Sequence, residues 1–208
     1  KRLSHHLQFI VSDAIQSQWG ENGIDNYENY AATWGPKGSR NVLTISGVYE
    51  LPWGFQIGLI SSTSTAGPMM PSINGVDLTG LTPGGTASTP LPGVSYNCFN
   101  RGCGKDDLEK AVADWNTNYA GKTDARGKTM PKLVLPPHYS LGTSFNSQDI
   151  RLTKSFTFFD RYKISVFGEM FNTLNIANLG GFNFRLDRAA SSGSTQTYAF
   201  GQPTSRAG

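Results

Sequence analysis

Apolar and polar residues alternate with period two along both arms of the stretch Asn146–Asn175, NSQDIRLTKSFTFFDRYKISVFGEMFNTLN. On the first arm Ile150, Leu152, Phe156 and Phe158 share one side, and Asp149, Arg151, Thr153, Ser155 and Thr157 the other. On the second arm Tyr162, Ile164, Val166 and Met170 oppose Lys163, Ser165 and Glu169. The pattern predicts two β-strands joined by a tight turn at Asp160-Arg161. Phe158, Phe159 and Tyr162 gather at that turn beside two charges. A soluble sandwich also alternates, with its apolar face turned inward, but aromatics ringing a short turn are what a transmembrane β-barrel sets at the membrane–water boundary.

Ser39–Ser64 repeats the design. In Ser39–Pro52, Leu43, Ile45, Tyr49 and Leu51 face one way, while Thr44, Ser46 and Glu50 face the other together with Val42 and Val48. Pro52-Trp53-Gly54 makes a compact turn, and Phe55–Ser64 runs back with Phe55, Ile57 and Leu59 on its apolar side. Upstream, Leu7–Ile15 is a weaker strand, with Leu7, Phe9, Val11 and Ile15 on one parity interrupted by Asp13. Gln16–Gly38, polar and rich in Asn, Gly and Tyr, is expected to be a loop, and it has no order of acidic residues suited to calcium.

Gly67–Phe145 is too long for an ordinary connection, since structureless loops above about fifteen residues are usually functional or disordered. Within it Asp106 and Glu109 form a D-x-x-E capping box. Leu108, Ala111, Val112, Trp115 and Tyr119 follow at helical spacing, and Gly121 supplies the stop. Such a stripe either packs the helix onto its neighbours or presents Trp115 and Tyr119 to a ligand. After Asn175 a further polar loop carries Phe182, Phe184, Tyr198 and Phe200. Short turns and long loops thus alternate, as the periplasmic turns and extracellular loops of outer-membrane barrels do. Taking Pro52–Gly54 and Asp160–Arg161 as periplasmic puts all the long segments outside.

Composition fits this reading. Of 208 residues, 24 are Gly and 11 are Pro, and the modest 38% hydrophobic and 16% charged content suits strands that spend alternate residues on an apolar face. No run of about eighteen apolar residues is present, which excludes a helical span; a barrel strand needs only about ten alternating residues. A net charge of +3, dispersed along the chain, argues against nucleic acid as a partner. Cys98 and Cys103, the two cysteines, lack C-x-x-C spacing. They are expected to close a small disulfide loop in an oxidising, extracytoplasmic setting, in preference to a redox or metal pair. The chain starts at Lys1-Arg2-Leu3 without Met and ends in a polar stretch at Ala207-Gly208, so both ends read as internal to a longer protein, with any targeting signal upstream.

Four segments resemble the C-terminal barrel region of TonB-dependent outer-membrane receptors, in particular the Oar-like group. They are Val48-Tyr49-Glu50-Leu51-Pro52-Trp53-Gly54, Asp149-Ile150-Arg151-Leu152-Thr153-Lys154, Phe171-Asn172-Thr173-Leu174-Asn175, and Phe200-Gly201 with the following Arg206. Family members carry similar segments in this order. The resemblance implies an all-β fold: a partial antiparallel transmembrane β-barrel of about five strands in hairpins with long extracellular loops, one holding a short helix. Residues 1–208 would then be a fragment of one receptor barrel domain, without its plug, N-terminal regions or final strand. The function implied is capture of a small-molecule, glycan or peptide substrate by extracellular loops and its import across the bacterial outer membrane. Outer-membrane lipid surrounds such a barrel, and the TonB complex engages it through the N-terminal part. Lys154 is a misfit, because it shares parity with Ile150 and Leu152 and would aim a charge at lipid. Near the midplane that costs about 2–4 kcal/mol, so a bulge or a site close to the interface is expected.

No G-x-S-x-G, Walker, H-E-x-x-H or G-x-G-x-x-G motif occurs, His5, His6 and His138 lack zinc spacing, and neither enzymatic activity nor a cofactor or metal is expected. Glu50, Asp149 and Glu169 could converge for glycoside hydrolysis; in a barrel they line the lumen with Arg151. The ligand-binding candidates are Tyr96, Phe99, Arg101, Trp115 and Tyr119, with Lys105, as stacking faces beside cationic donors. Two other classes compete with the receptor: a secreted β-sandwich adhesin or carbohydrate-binding module, and a carbohydrate-active enzyme on a β scaffold.

Overall fold

A computed structural model describes residues 6–21, 29–81, 88–159, 161–187 and 199–206. Asp160 of the expected turn, His5 and Tyr198 lie outside the described residues. In chain order the strands are β1 (Leu7–Ile15), β2 (Gln18–Glu21), β3 (Trp34–Lys37), β4 (Asn41–Leu51), β5 (Phe55–Ser64), β6 (Ser72–Asn74), β7 (Ser88–Pro90), β8 (Phe145–Phe158), β9 (Tyr162–Met170), β10 (Leu179–Gly180) and β11 (Ser205–Arg206). The helix α1 spans Lys105–Asn118. Among the described residues no helix is long and apolar enough to cross a membrane. The chain divides into two compact units, one drawn from stretches 1–16, 40–65 and 144–178, the other from 17–39, 66–143 and 179–208.

The first unit is a five-stranded sheet in the order β1-β4-β5-β8-β9, every neighbouring pair antiparallel. Alternation along each strand becomes, through the register, alternation between whole faces. Phe9, Gly47, Leu59, Ile150 and Met170 lie in one row across all five strands, and Leu7, Tyr49, Ile57, Leu152 and Gly168 form the next. The opposite face carries Gln8, Val48, Gly58, Arg151 and Glu169 in one row. Among the described residues much of the apolar face stays exposed. Val11 is 56% exposed, Ile164 54% and Val166 59%, and β1 and β9 are exposed at every position. All-β architecture with a five-stranded antiparallel sheet and one short helix therefore matches the expectation at that level.

The hairpin turns follow from their residues. Pro52–Gly54 is a 3-10 turn in which Trp53 (φ 61°) and Gly54 (φ 74°) are left-handed. A Cβ on Gly54 would meet the Ser155 carbonyl oxygen at 2.8 Å, so glycine is required there. At the other hairpin Phe159 is left-handed (φ 51°) and the Arg161 N–H donates to the Phe158 carbonyl (3.2 Å). Register explains the odd lysine as well. Pairing runs without insertion through Phe55↔Lys154 and Lys154↔Val166, so there is no bulge. Lys154 sits level with the first residue of β5, at the Pro52–Gly54 turn.

The second unit differs from the expectation of loops. Residues 17–39 hold the paired strands β2 and β3, and 66–143 and 179–206 supply β6, β7, β10, β11 and α1. A hydrophobic core joins residues far apart in sequence, including Ile73, Leu91, Phe99, Trp115, Leu133 and Phe200. The helix buries Leu108, Ala111, Val112 and Trp115, the packing alternative for that stripe. Its start lies two residues before the expected Asp106–Glu109 box. Gly104 precedes the first helical residue and its N–H donates to Asp107 Oδ2 at 2.7 Å; glycine has no side chain to return the bond. The helix ends at Asn118 with Tyr119 as its cap, and the expected stop Gly121 (φ 79°) lies just beyond, its N–H donating to the Met130 carbonyl (2.9 Å). Phe200 packs against Tyr139 with ring centroids 5.6 Å apart, and a Cβ on Gly201 (φ 71°) would meet the Ser140 oxygen at 2.7 Å, which accounts for that Phe-Gly pair.

Two buried carboxylates pin this unit. Asp77 accepts from Gly80 N–H (2.8 Å) and Arg126 Nε (2.8 Å). Asp124 accepts from the N–H groups of Lys128 (2.8 Å), Asp77 (3.1 Å) and Arg126 (2.9 Å). The Lys128 and Asp77 donors hold the Asp124 carboxyl below its ordinary value of 3.8. Burial by itself raises Asp187, but Arg185 and the Asn74 N–H outweigh it and that carboxyl is lowered too. A carboxyl lowered on folding stabilises the fold above its unfolded pKa and loses that contribution as pH falls through the folded one. The second unit is therefore expected to lose stability below about pH 4, read by near-UV circular dichroism. Asp124→Asn should flatten the acid limb; an unchanged acid transition in that variant would refute the assignment.

Candidate functional site

The expected lumen-lining residues Glu50, Asp149, Arg151 and Glu169 fall on the polar face of the sheet, at the register positions that alternation implies. Arg151 and Glu169 are cross-strand partners, with Nη1 and Oε1 3.3 Å apart. The Arg151 guanidinium lies 3.9 Å from the Phe167 ring centroid, so it is fixed on both sides. Gly58 stands between Val48 and Arg151, and the missing side chain opens a depression of about 370 Å³ lined also by Gln8, Ile60 and Asp149. His6 Nδ1 lies 3.6 Å from Glu50 Oε2.

Asp149 has a structural task. Its Oδ1 accepts from Ser147 Oγ (3.0 Å) and from the Asn172 N–H (2.8 Å). The Asn172 side chain in turn closes a loop onto Ile176, accepting from its N–H (3.1 Å) and donating to its carbonyl (2.9 Å). Two of the short segments noted in the sequence are thus parts of one arrangement, in which the aspartate anchors the turn that follows β9.

Convergence of the three carboxylates for hydrolysis is not supported by the register. Glu50 on β4 and Glu169 on β9 are three strand spacings apart, about 14 Å, beyond the roughly 5–9.5 Å that glycoside hydrolysis uses. Asp149 and Glu169 lie on adjacent strands, but each is engaged by the partners just described. Among the described residues no group of three or more His, Cys, Asp or Glu is placed to hold a metal.

The ligand-binding candidates do not form one surface. Phe99 is fully buried and Trp115 is 1% exposed, and Trp115 Nε1 donates to the Pro131 carbonyl at 2.8 Å. These two are corrected to core residues, because the core needs their volume and neither offers a face to solvent. Tyr119 stacks on Trp115 with centroids 5.0 Å apart. Arg101 is a clamp: Nη1 donates to the carbonyls of Ala66 (3.0 Å) and Asn100 (2.6 Å), and Nη2 to that of Gly38. Lys105 Nζ lies 4.8 Å from the Tyr139 ring centroid. Tyr96 lines an open groove, about 230 Å³, with Met70, Leu78, Pro92 and Val94. Cys98 and Cys103 are disulfide-bonded, with Cα atoms 5.3 Å apart; the Cys98 carbonyl accepts from the N–H groups of Arg101 (2.9 Å) and Cys103 (3.0 Å).

Sequence reasoning missed the groove because its lining comes from Ala32 and from residues between Met70 and Tyr96 with no periodic pattern. It missed the Gly58 depression because only the register sets Arg151 beside that glycine. Comparison with family models, curated proteins and solved structures finds no match to this chain.

Proposed function

We propose that the five-stranded sheet is part of the wall of a transmembrane β-barrel, and that the protein is an outer-membrane receptor of the TonB-dependent, Oar-like kind. It takes up a substrate captured by the loop unit, in binding and transport without covalent chemistry. The observation that carries this reading is the exposed apolar face. Burying one Val, Ile or Leu side chain is worth about 1.5–3 kcal/mol, so a face with Val11, Ile164, Val166 and Met170 left in water forfeits several such contributions. Hydrocarbon supplies the missing contact, and the polar face with Arg151 and Glu169 then turns toward the lumen. Trp53, 85% exposed, and Phe159, 89% exposed, sit at the two short turns, where an aromatic girdle belongs. Successive antiparallel strands bring both short turns to one end of the sheet and all long connections to the other, the asymmetry of barrels with short periplasmic turns and long outer loops.

The protein in full is expected to require detergent for extraction and to migrate as a compact species in SDS until heated. In whole cells, Ser88→Cys is expected to react with a membrane-impermeant thiol reagent and Arg161→Cys not to. Labelling at Arg161 alone would invert the topology. Solubility without detergent would favour the secreted β-sandwich binding module.

A further inference from the structure

Lys154 lies on the apolar face among Phe55, Phe156 and Val166, its cross-strand and same-strand neighbours. Its ammonium is 4.3 Å from the Phe55 ring centroid and 5.2 Å from that of Phe156, and it donates to the Trp53 carbonyl. No carboxylate pairs with it among the described residues. An ammonium has three N–H donors; one carbonyl and two ring faces offset its charge only in part, and no anion completes it among the described residues. Moving a charge of this kind to the membrane midplane is costly, but Lys154 is level with the Pro52–Gly54 turn, where β5 begins and the aromatic Trp53 projects. That is the depth of lipid headgroups on the barrel reading, on which this inference rests.

We infer that Lys154, held between the Trp53 carbonyl and the Phe55 and Phe156 rings, binds the phosphate of an anionic phospholipid. The ammonium supplies the charge and the remaining donors, and the rings meet the apolar part of the same lipid below its headgroup. The β8–β9 hairpin extends beyond the β4–β5 turn by the pairs Phe156↔Ile164 and Phe158↔Tyr162, so it rises on one side of Lys154. The occupant is a lipid and not a free phosphate ion, because the surroundings of the ammonium are apolar on the face that would be presented to hydrocarbon.

The test uses the full protein reconstituted in vesicles containing brominated phosphatidylglycerol or brominated phosphatidylcholine at matched mole fraction. Bromine quenching of Trp53 is isolated as the difference between wild type and Trp53→Phe. Phosphatidylglycerol is expected to be preferred about fivefold, which corresponds to the ~1 kcal/mol one lysine contributes near an anionic lipid surface. Lys154→Gln should abolish the preference and Lys154→Arg should keep it, with heat-modifiable migration in SDS unchanged in both. Equal quenching by the two lipids in wild type, or an undiminished preference in Lys154→Gln, would overturn the inference while leaving the barrel reading intact. Loss of the preference on adding inorganic phosphate would reassign the site to the free anion. Absence of quenching by either lipid would remove the barrel reading and this one together.

Discussion

If the sheet is the wall of a membrane barrel, as proposed, Leu59→Arg is expected to prevent assembly into the membrane, whereas Gln56→Arg on the same strand is expected to be tolerated. Leu59 lies in β5, a central strand, in the row Phe9, Gly47, Leu59, Ile150 and Met170, and it is 40% exposed. Against hydrocarbon near the midplane an arginine costs about 2–4 kcal/mol, enough to lower the assembled fraction roughly thirty- to a thousandfold at equilibrium. Gln56 is on the other face, in the row with Glu50 and Thr153, which on the proposed reading meets water. The yield of heat-modifiable species in purified membranes reads the difference. Equal yields from the two variants would show that neither face meets lipid.

Trp115→Ala is expected to unfold the second unit. The side chain is 1% exposed, stacks on Tyr119 and satisfies the Pro131 carbonyl through Nε1. Truncating a buried tryptophan costs about 3–5 kcal/mol, a large part of the roughly 5–15 kcal/mol that holds a domain together. Amide hydrogen exchange should accelerate across α1 and across 69–76 and 130–133, whose buried residues belong to the same core. Retained protection in those segments combined with lost substrate uptake would instead make Trp115 a contact residue for the ligand.

Much of the first unit was legible in the sequence because a strand records its environment every second residue. Leu7–Ile15, Asn41–Leu51, Phe55–Ser64, Phe145–Phe158 and Tyr162–Met170 all carry that period. The Pro52-Trp53-Gly54 turn announced itself through residues that fix or free φ. Glu50, Asp149, Arg151 and Glu169 could be assigned to one face for the same reason. The identity of that face's neighbours was not legible, since cross-strand partners depend on register. Arg151 meeting Glu169 and Phe167, and Asp149 meeting Asn172, are facts of pairing between strands.

The second unit shows where periodicity stops. Only α1 in its long segments has a repeating apolar stripe. Ile73, Leu91, Leu133 and Phe200 are buried together although no local period links them, and Gly, Pro and polar residues around them have the composition of loops. The candidate ligand residues were chosen as aromatic and cationic side chains in such a segment, and a stacking surface and a core have the same composition until packing separates them. Burial then took Phe99 and Trp115 inside, and carbonyls in 38–100 took the donors of Arg101. The sequence by itself determined which residues share a strand face, where the hairpins turn and where the helix runs, because these depend on neighbours within a few positions. Only the tertiary structure decided which aromatics are core and which are open, that Lys154 stands at a turn level with Phe55, and that Gly58 opens a depression beside Arg151. Each of these depends on contacts between residues far apart in the chain, and local spacing carries no record of them.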